Sequence, residues 1–348
     1  MSPHDFSLHR GATSLKAARW PWFALFLGKR LLRLALVLLG VAVVAFALAK
    51  ASPIDPVDAY LGPNIMRVSP EQRELIAERW GFREPAATQL AKWLTNLLHG
   101  DLGTSFIFNQ PVTEVLYERV NASLALTGTA WLLSGLLGFA LGALAGTYEG
   151  SLADRCIRAY AYVLASTPTF WVAIVLLIVF SVWLSWAPFC CAGPPGRLPQ
   201  DIGLLDRLQH LALPLAALSL FGISQITLHT RAKMIEIMRS DYVMYAFAQG
   251  ATRSDAALRH GIRNAALPAI TIQFASLGEL FGGSALAEQV FSYPGLGKAT
   301  VDAGIRGDVP LLLAITLFTA LLVSVGNTIA DLLYHLVDPR MHPSGARP

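Results

Sequence analysis

Long apolar runs are the feature of this sequence that most restricts its fold. About six of them occur in the 348 residues, each near the ~20 residues that a helix needs to cross a bilayer. Their approximate bounds are 31–51, 123–146, 159–186, 211–230, 268–290 and 310–336. Only 14% of the residues are charged, against about a quarter in a soluble domain. Mean hydropathy is +0.50, so the sequence predicts an all-α integral membrane protein with six transmembrane helices.

The positions of Lys and Arg predict which side of the membrane each segment faces. Segments that are inside when the N-terminus is cytoplasmic hold sixteen of the 27 basic residues: Arg10, Lys16, Arg19, Lys29, Arg30, Arg33, Arg155, Arg158, Arg231, Lys233, Arg239, Arg253, Arg259, Arg263, Arg340 and Arg347. The outer segments total slightly more chain, yet they hold fewer basic residues and at least as many acids. Since cytoplasmic loops are enriched in Lys and Arg, both termini are predicted to be cytoplasmic.

The spacing of the apolar runs predicts the domain organisation. We expect a flexible cytoplasmic extension, a transmembrane domain and a short tail, at residues 1–28, 29–341 and 342–348. Residues 52–122 form an extracytoplasmic insertion between the first and second spans, too long for a simple connection.

Two amphipathic helices are predicted within this insertion. Ser69, followed by Pro70 and by Gln72, is typical of a helix start, and Gly81 is typical of its end. Thr88 is predicted to cap the second helix, which should pack against the membrane domain.

Glycine recurs at every fourth position in two of the predicted spans. The positions are Gly138, Gly142 and Gly146 in the second span and Gly278 and Gly282 in the fifth. Because lipid offers no hydrophobic drive for association, such stripes favour close approach of two helix backbones.

Two prolines and an adjacent pair of cysteines allow further local predictions. Pro168 and Pro214 are expected to bend or start the third and fourth spans. A bridge between neighbouring cysteines is strained, so Cys190 and Cys191 are interpreted as two small, unbridged apolar residues in a loop. The histidines show no ligand spacing, which indicates neither a metal site nor a cofactor.

The segment between the fourth and fifth spans is unusually basic. Its pattern predicts helix, break, helix: Ser240 and Gly250 would cap and stop the first helix, Ser254 would cap the second, and Pro268 would lie in the first turn of the fifth span. The small residues around Gly250 would suit the groove of another protein, and the arginines would equally suit anionic lipid. The residues by themselves favour neither reading.

The stretch "DYVMYAFAQGATRSDAALRHGIRNAALP" (241–268) resembles the cytoplasmic coupling loop of binding-protein-dependent ABC importer permeases. Ala246, Ala248 and Gly250 match the core of that motif, and Leu267 with Pro268 matches its closing Leu-Pro. The opening glutamate of the motif is missing, and the long spacing from Gly250 to Pro268 is similar to the dipeptide, oligopeptide and nickel branch.

Four further segments, spread through residues 30–341, are similar to the same branch: "HGDLGTSF" (99–106), "HLALPLAALSL" (210–220), "AEQVFSYPGLGKATVDA" (287–303) and "DLLYHLVDPRM" (331–341). The resemblance implies a type I importer permease subunit, for peptides or nickel, in the bacterial cytoplasmic (inner) membrane. Its implied partners are a second, related permease, two ATPase subunits, an extracytoplasmic substrate-binding protein and the lipid bilayer, with no nucleic acid.

The resemblance also implies where the ATPase subunits dock. The coupling loop would span residues 231–267, and the expected docking residues are Tyr242, Ala246, Phe247, Ala248, Gly250, Ala251, Leu267 and Pro268. Paired docking would convert closure of the ATPases into a rocking of helices that alternates access.

Glu279 falls near the middle of the fifth span, where a bare carboxylate is costly. One interpretation is that Glu279 is paired within the structure. The other is that Glu279, Gly278 and Gly282 belong to a translocation path that favours a cationic substrate. The surrounding "GELFGG" looks more like the nickel members than the peptide members. Glu288, Asp302 and Asp331 are interpreted as groups at helix ends or interfaces.

Enzymatic activity is not expected of this chain. "PGLGKAT" (294–300) has the look of a phosphate loop, but Ser292 and Ala299 occupy positions where that motif needs Gly and Ser or Thr. Ion-coupled secondary transport without ATPases is the alternative function, with Glu279 and Asp331 as proton carriers. Six spans without an evident internal repeat disfavour it.

Overall fold

The computed structural model describes the chain over residues 19–197 and 201–337, with the side chains at 19–27, 63–65, 279–281 and 333–337 outside the description. Its helices in chain order are α1 (Arg19–Ala51), α2 (Pro56–Leu61), α3 (Pro70–Arg79), α4 (Ala86–Leu98), α5 (Val112–Ser123), α6 (Thr129–Thr147), α7 (Leu152–Ala165), α8 (Thr169–Leu176), α9 (Leu204–Met238), α10 (Asp241–Ala248), α11 (Arg253–Ala256), α12 (Ile262–Ala275), α13 (Leu277–Val290), α14 (Leu296–Arg306) and α15 (Val309–Val337). Helical segments of other pitch are Gly62–Arg67 (3-10), Leu124–Gly128, Leu177–Trp183 and Ala257–Gly261 (all π).

Four helical stretches of the described chain are long and apolar enough to cross a membrane: Gly28–Ala51, Val112–Thr147, Leu204–Met238 and Val309–Leu332. They contain or overlap the first, second, fourth and sixth predicted spans. The helix of the second span starts at Val112, inside the region predicted as insertion, because a π segment joins α5 to α6 without a break. The helix of the first span starts at Arg19, so residues 19–28 of the predicted flexible extension are helical, and residues 1–18 lie outside the description.

The third and fifth predicted spans are not single helices. α7 and α8, with the π segment of α8, meet at an angle of 105°. Pro168 starts α8 and disfavours helical geometry in the residue before it, which explains the bend. The fifth span is divided at Ser276 into α12 and α13. The described chain thus has four candidate spans, or five if the bent pair counts as one, and six continuous spans are not observed.

Two local expectations are wrong in this part of the chain. Pro214 lies inside α9 and so does not start the fourth span, and Pro268 lies inside α12 rather than in the first turn of a helix. The π segment before α12 carries the helix across the position where a start was expected. Cys190 and Cys191 form a disulfide, with Cys191 at a φ of 75°, so their interpretation as unbridged residues is also wrong.

The insertion is built from α2, α3, α4 and a small hairpin in which β1 (Thr104–Ser105) pairs antiparallel with β2 (Gln110–Pro111). The predicted capping box is confirmed: the Ser69 hydroxyl accepts from the N–H of Gln72, whose side chain accepts from the N–H of Ser69. Gly81 ends that segment at a φ of 68°. Thr88 does not cap α4, because Pro85 already occupies the N-cap position and leaves Thr88 in the first turn.

The side chain of Asp308 links the hairpin to the start of α15 by hydrogen bonds. Its carboxylate is fully buried and accepts from the Ser105 hydroxyl (2.6 Å) and the Ile107 N–H (3.1 Å). The other carboxylate oxygen accepts from the Leu311 N–H (3.2 Å) in the first turn of α15. One charged group therefore satisfies donors of both elements, which is how a buried carboxylate is tolerated.

The glycine stripe on α6 lies directly against α9. A Cβ added to Gly142 would lie 2.6 Å from Thr230 Cβ and 2.7 Å from Thr227 O. A Cβ on Gly138 would lie 2.8 Å from Ile226 Cβ, and one on Gly146 would collide with Met234. The predicted close approach on the second span is therefore confirmed. On the fifth span only Gly278 is tightly packed, with its added Cβ 3.2 Å from Val323 Cγ1, whereas no described atom lies within 4 Å at Gly282.

The pairing along this stripe shows that α6 and α9 run parallel. Ser134 faces Gly222, and each later contact moves four residues forward on both helices. α1 and α15 instead run antiparallel, since Arg30 pairs with Asp331 at one end (2.6 Å) and Lys50 and Val309 line a common cavity at the other. Asp331 thus lies at a helix interface, as expected from the sequence.

Gly142→Ala is expected to destabilise the protein by about 1–3 kcal/mol, because the new methyl group overpacks the contact with Thr230 and Thr227. The measurement is the midpoint of thermal unfolding in detergent, followed by size-exclusion chromatography of the fluorescently tagged chain. Gly128→Ala is the matched control, since a Cβ there meets no described atom within 4 Å. Equal midpoints for the two variants would contradict a constraint from close packing.

Candidate functional site

The basic segment after α9 folds as the predicted helix, break and helix. Ser240 occupies the N-cap of α10, although its hydroxyl donates backwards to Ile237 O (2.5 Å) rather than capping. α10 ends in a turn in which the Ala251 N–H donates to Ala246 O (3.1 Å) and the Gly250 N–H to Phe247 O (2.9 Å). Gly250 has a φ of 88°, the left-handed conformation that this type of helix end requires. The Ala-x-Ala-x-Gly spacing therefore encodes a tight, glycine-closed helix end.

Thr252, rather than the predicted Ser254, starts the second helix. The Thr252 hydroxyl accepts from the Asp255 N–H, and the Asp255 carboxylate accepts from the hydroxyl and the N–H of Thr252. These hydrogen bonds hold the pKa of Asp255 below its usual value. The cap is therefore complete at neutral pH and is lost as the pH falls through the lowered pKa. Ser254 was the wrong choice because Thr252 has its acid at the third position, as a capping box needs.

One face of α10 packs on the end of α9. Val243 is fully buried and Phe247 partly buried against Met234 and Ile237 of α9 and Ala256 of α11. This apolar cluster holds the short helix in a fixed position, which eight residues could not maintain alone.

The opposite face of α10 is exposed and rich in large side chains. Tyr242, Met244 and Tyr245 are 47%, 57% and 67% exposed. The Tyr242 ring lies edge-on to His260, with ring centroids 6.0 Å apart, and the Tyr245 hydroxyl accepts from Gln249 (2.9 Å). Such an exposed aromatic patch is typical of a surface that another protein covers.

The structure separates the predicted docking residues into three groups. Tyr242, Ala248 and Gly250 are exposed on α10 and its turn, whereas Ala246, Phe247 and Ala251 are half-buried and shape that turn. Leu267 and Pro268 lie inside α12, with Leu267 44% exposed.

Sequence reasoning missed Met244. The helical period could have found it, since Val243 and Phe247 occupy the more buried positions one turn apart.

Around this patch the surface is basic. Arg253, Arg259 and Arg263 are all exposed, on α11, the π segment and α12 respectively. Between residues 246 and 268 the sequence has one acid, Asp255, against these three arginines. The patch therefore presents aromatic rings beside positive charge. Such a surface suits an acidic rim on a partner.

Two ion pairs tie the α6–α7 turn to the end of α9, just before the loop. Asp154 is fully buried and pairs with Arg231 through two contacts, Oδ1 to Nε (2.5 Å) and Oδ2 to an Nη (2.9 Å). The Gly150 N–H also donates to Asp154 (2.9 Å). A second, exposed pair joins Glu149 and Arg239 (2.8 Å). The turn and the loop are therefore held as one unit.

The predicted translocation-path glycines border a cavity of about 430 Å³. Gly278 and Gly282 line it from α13, with the hydroxyl-bearing residues Thr300, Thr316 and Thr319 on α14 and α15. The side chain of Glu279, the third predicted residue of the path, lies outside the described residues.

The segment "PGLGKAT" (294–300), which resembles a phosphate loop, binds a carboxylate of the same chain. Glu288 is fully buried and accepts from the Ser123 hydroxyl (2.6 Å), the Lys298 N–H (3.0 Å) and the Gly297 N–H. A Cβ at Gly295 would collide with this carboxylate, which explains the glycine. "PGLGK" is thus an anion-binding turn occupied by Glu288, in agreement with the interpretation of Glu288 as a helix-end group.

Comparison with known proteins identifies relatives along most of the chain. Residues 138–343 match the family described as binding-protein-dependent transport system inner membrane component, and residues 23–127 match the N-terminal region of such membrane components. The oligopeptide transport system permease protein AppB of Bacillus subtilis is 36% identical over 306 residues, covering 88% of this chain and 95% of AppB. The di/tripeptide transport system permease protein DppB of Pseudomonas aeruginosa is 32% identical, covering 91% of this chain and 98% of DppB.

A solved structure shares the fold. A chain of the inward-facing MetNI methionine ABC transporter superimposes with a TM-score of 0.52 over 65% of this chain and 97% of that chain. At 18% identity this similarity bears on the fold alone.

Asp154→Ala is expected to cost about 3–5 kcal/mol of stability, because it leaves the guanidinium of Arg231 half-buried without its partner. Glu149→Ala is the matched control at the same turn, where the exposed pair with Arg239 should contribute about 0–1 kcal/mol. Thermal unfolding of both variants in detergent measures the difference. If Asp154→Ala were as stable as Glu149→Ala, the buried pair would not hold the loop.

Proposed function

Because this chain belongs to the family of binding-protein-dependent transport system inner membrane components, we propose that it forms half of a path for short peptides and couples that path to ATPase subunits through residues 231–267. The family consists of membrane permeases of ABC importers, in which separate subunits hydrolyse ATP, so the chain itself is not an enzyme. ATPase subunits and a substrate-binding protein are the partners that the family implies.

Peptides are the cargo that the relatives favour. AppB and DppB are named for oligopeptides and di- or tripeptides, and a putative peptide transport system permease of Brucella suis is 35% identical over 314 residues. Nickel rests only on the likeness of "GELFGG", so peptide is the better proposal. Transport of radiolabelled dipeptide and of nickel by the assembled importer separates the two.

The direction of the helices supports six crossings. The N-terminal ends of α5 and α15 both lie at the hairpin, because Asp308 accepts a hydrogen bond from Ser105 there. α9 runs parallel to α6. The chain must therefore cross back between α6 and α9, and again between α9 and α15. The bent pair α7–α8 and the divided pair α12–α13 occupy those two places in the sequence. Both termini would then lie on the cytoplasmic side and the insertion at 52–122 on the outer side.

The exposed face of α10 is the observation that carries the coupling proposal. A rigid helix with Tyr242, Met244 and Tyr245 uncovered, closed by Gly250 and flanked by arginines, suits the groove of an ATPase subunit. Its rigid link to α9 would transmit a movement of the ATPase into the membrane domain. A second, related permease would supply the other half of the path and a second such loop.

Labelling of cysteines in intact cells tests the orientation. In a Cys156→Ser background, Thr95→Cys on exposed α4 should react with a membrane-impermeant maleimide, and Ser254→Cys in the loop should react only after permeabilisation. The charge bias of the loop is the reason for this expectation. Labelling of position 254 in intact cells would place the loop outside and exclude docking of ATPases.

Replacement of Gly250 tests coupling. Gly250→Leu should insert and fold, yet lower peptide transport and substrate-stimulated ATPase activity about tenfold, the effect of losing roughly 1.4 kcal/mol of docking free energy. Gly150→Leu is the matched control, since Gly150 also has a left-handed φ (81° against 88°) with no described atom near its Cβ. The backbone strain is alike in both, so only the position differs.

Two outcomes would contradict the proposal. If both glycine variants lost activity equally, strain rather than docking would be responsible. If the chain reconstituted alone accumulated peptide without ATPases, it would be an ion-coupled carrier.

A further inference from the structure

A cavity of about 400 Å³ lies where the insertion meets the outer ends of α1 and α15. α1 contributes Phe46 and Lys50, the insertion contributes Trp80 and Trp93, and α15 contributes Leu313. The volume falls within the range of about 300–1,000 Å³ that is usual for small-molecule sites. The cavity is separate from the one that Gly278 and Gly282 border.

The aromatic wall of this cavity is rigid. Phe106 is buried at its centre and contacts three rings edge-on, those of Tyr60, Trp80 and Phe82, with centroids 5.5, 6.0 and 5.9 Å away. Edge-to-face packing of this kind fixes the rings in place. The wall is therefore preformed for an apolar side chain.

Two polar groups on the lining residues have no partner among the described atoms. They are the indole N–H of Trp93, a donor, and Oε2 of Glu84, an acceptor. Each atom is buried, and a buried polar group without a hydrogen-bond partner is energetically unfavourable. Both atoms are closed off from the cavity, so a ligand that offers an acceptor and a donor satisfies them only once the two side chains turn toward it.

The charges around the cavity carry both signs. Lys50, Arg79 and Lys92 line it together with Glu78 and Glu84. Glu84 uses its other oxygen, Oε1, to pair with Lys92 (2.5 Å). The Lys50 ammonium lies 5.9 Å from the centroid of the Phe46 ring. The site thus offers a carboxylate for a cation and ammonium and indole donors for an anion.

We propose that this cavity is an accessory site for one short zwitterionic peptide with an apolar side chain, outside the translocation path. The peptide ammonium binds Glu84, its carboxylate or a carbonyl oxygen binds Trp93 and Lys50, and its side chain lies against the aromatic wall. The assignment of a peptide rests on the proposed function, whereas the zwitterionic chemistry follows from the lining groups.

Equilibrium dialysis of tritiated Leu-Phe against the purified full chain in nanodiscs tests the site. Glu84→Gln and Trp93→Phe should each weaken binding about tenfold, because the first removes a charge from an isosteric side chain and the second removes the indole N–H while keeping an aromatic ring. Glu74→Gln and Trp183→Phe are the matched controls and should bind as wild type. Glu74 belongs to another ion pair of the insertion, with Arg83, and Trp183 is an exposed indole at the end of the π segment that follows α8.

Wild-type protein provides a second measurement that does not depend on the folding of variants. N-acetyl-Leu-Phe lacks the ammonium and Leu-Phe amide lacks the carboxylate, so each should bind about tenfold more weakly than Leu-Phe. Absence of saturable Leu-Phe binding, equal binding of all three peptides, or wild-type affinity in both Glu84→Gln and Trp93→Phe would overturn the proposal.

Transport by the assembled importer distinguishes this failure from failure of the proposed function. If the importer carries Leu-Phe but the chain does not bind it in the cavity, only the accessory site is refuted. If the importer carries no peptide, the proposed cargo is refuted as well.

Discussion

The close contact between α6 and α9 is the constraint on which the rest of the structure depends. At Gly138, Gly142 and Gly146 the two backbones approach so closely that no side chain fits between them. In a bilayer this closeness replaces the hydrophobic drive that holds soluble helices together, since dispersion contacts and hydrogen bonds increase as backbones approach. The Thr227 hydroxyl adds such a bond, to Gly138 O (3.3 Å).

This contact also fixes the direction and the depth of the loop after α9. Four successive contacts fix the position of α9 along α6. The last turn of α9 is therefore held at a fixed position relative to α6. Arg231 then binds Asp154 in the first turn of α7, and Val243 of α10 packs on Ile237. The exposed face of α10 is thus presented by a continuous chain of packed elements, which is what a coupling element needs in order to transmit movement.

Local sequence signals predicted the parts of the fold that local chemistry determines. The glycine stripe, the capping box at Ser69 and the stop at Gly250 were predictable because each depends on a few neighbouring residues. Apolarity located the membrane-crossing regions, and Pro168 correctly predicted the bend in the third span. The break at Ser276 was not predicted, since a divided helix is as apolar as a continuous one. The caps assigned to Thr88 and Ser254 were wrong because a nearby residue, Pro85 or Thr252, competed successfully for the same position.

The candidate site likewise has features that local sequence predicts and features that depend on distant residues. The family motif located the loop, but which of its residues face outward depends on the packing of Val243 and Phe247, and that requires the end of α9. The binding of Glu288 by the "PGLGK" turn could not be predicted either. The same carboxylate also accepts a hydrogen bond from Ser123, which is far away in the sequence.

The shared carboxylate of Asp308 has a mechanical consequence. It both begins α15 and binds the β-hairpin, so the hairpin cannot slide along the helix without breaking the hydrogen bonds that satisfy a buried carboxylate. A tilt of α15 would therefore carry the β-hairpin with it. A small rotation of this helix would become a larger displacement at the parts of the insertion that lie farthest from Asp308.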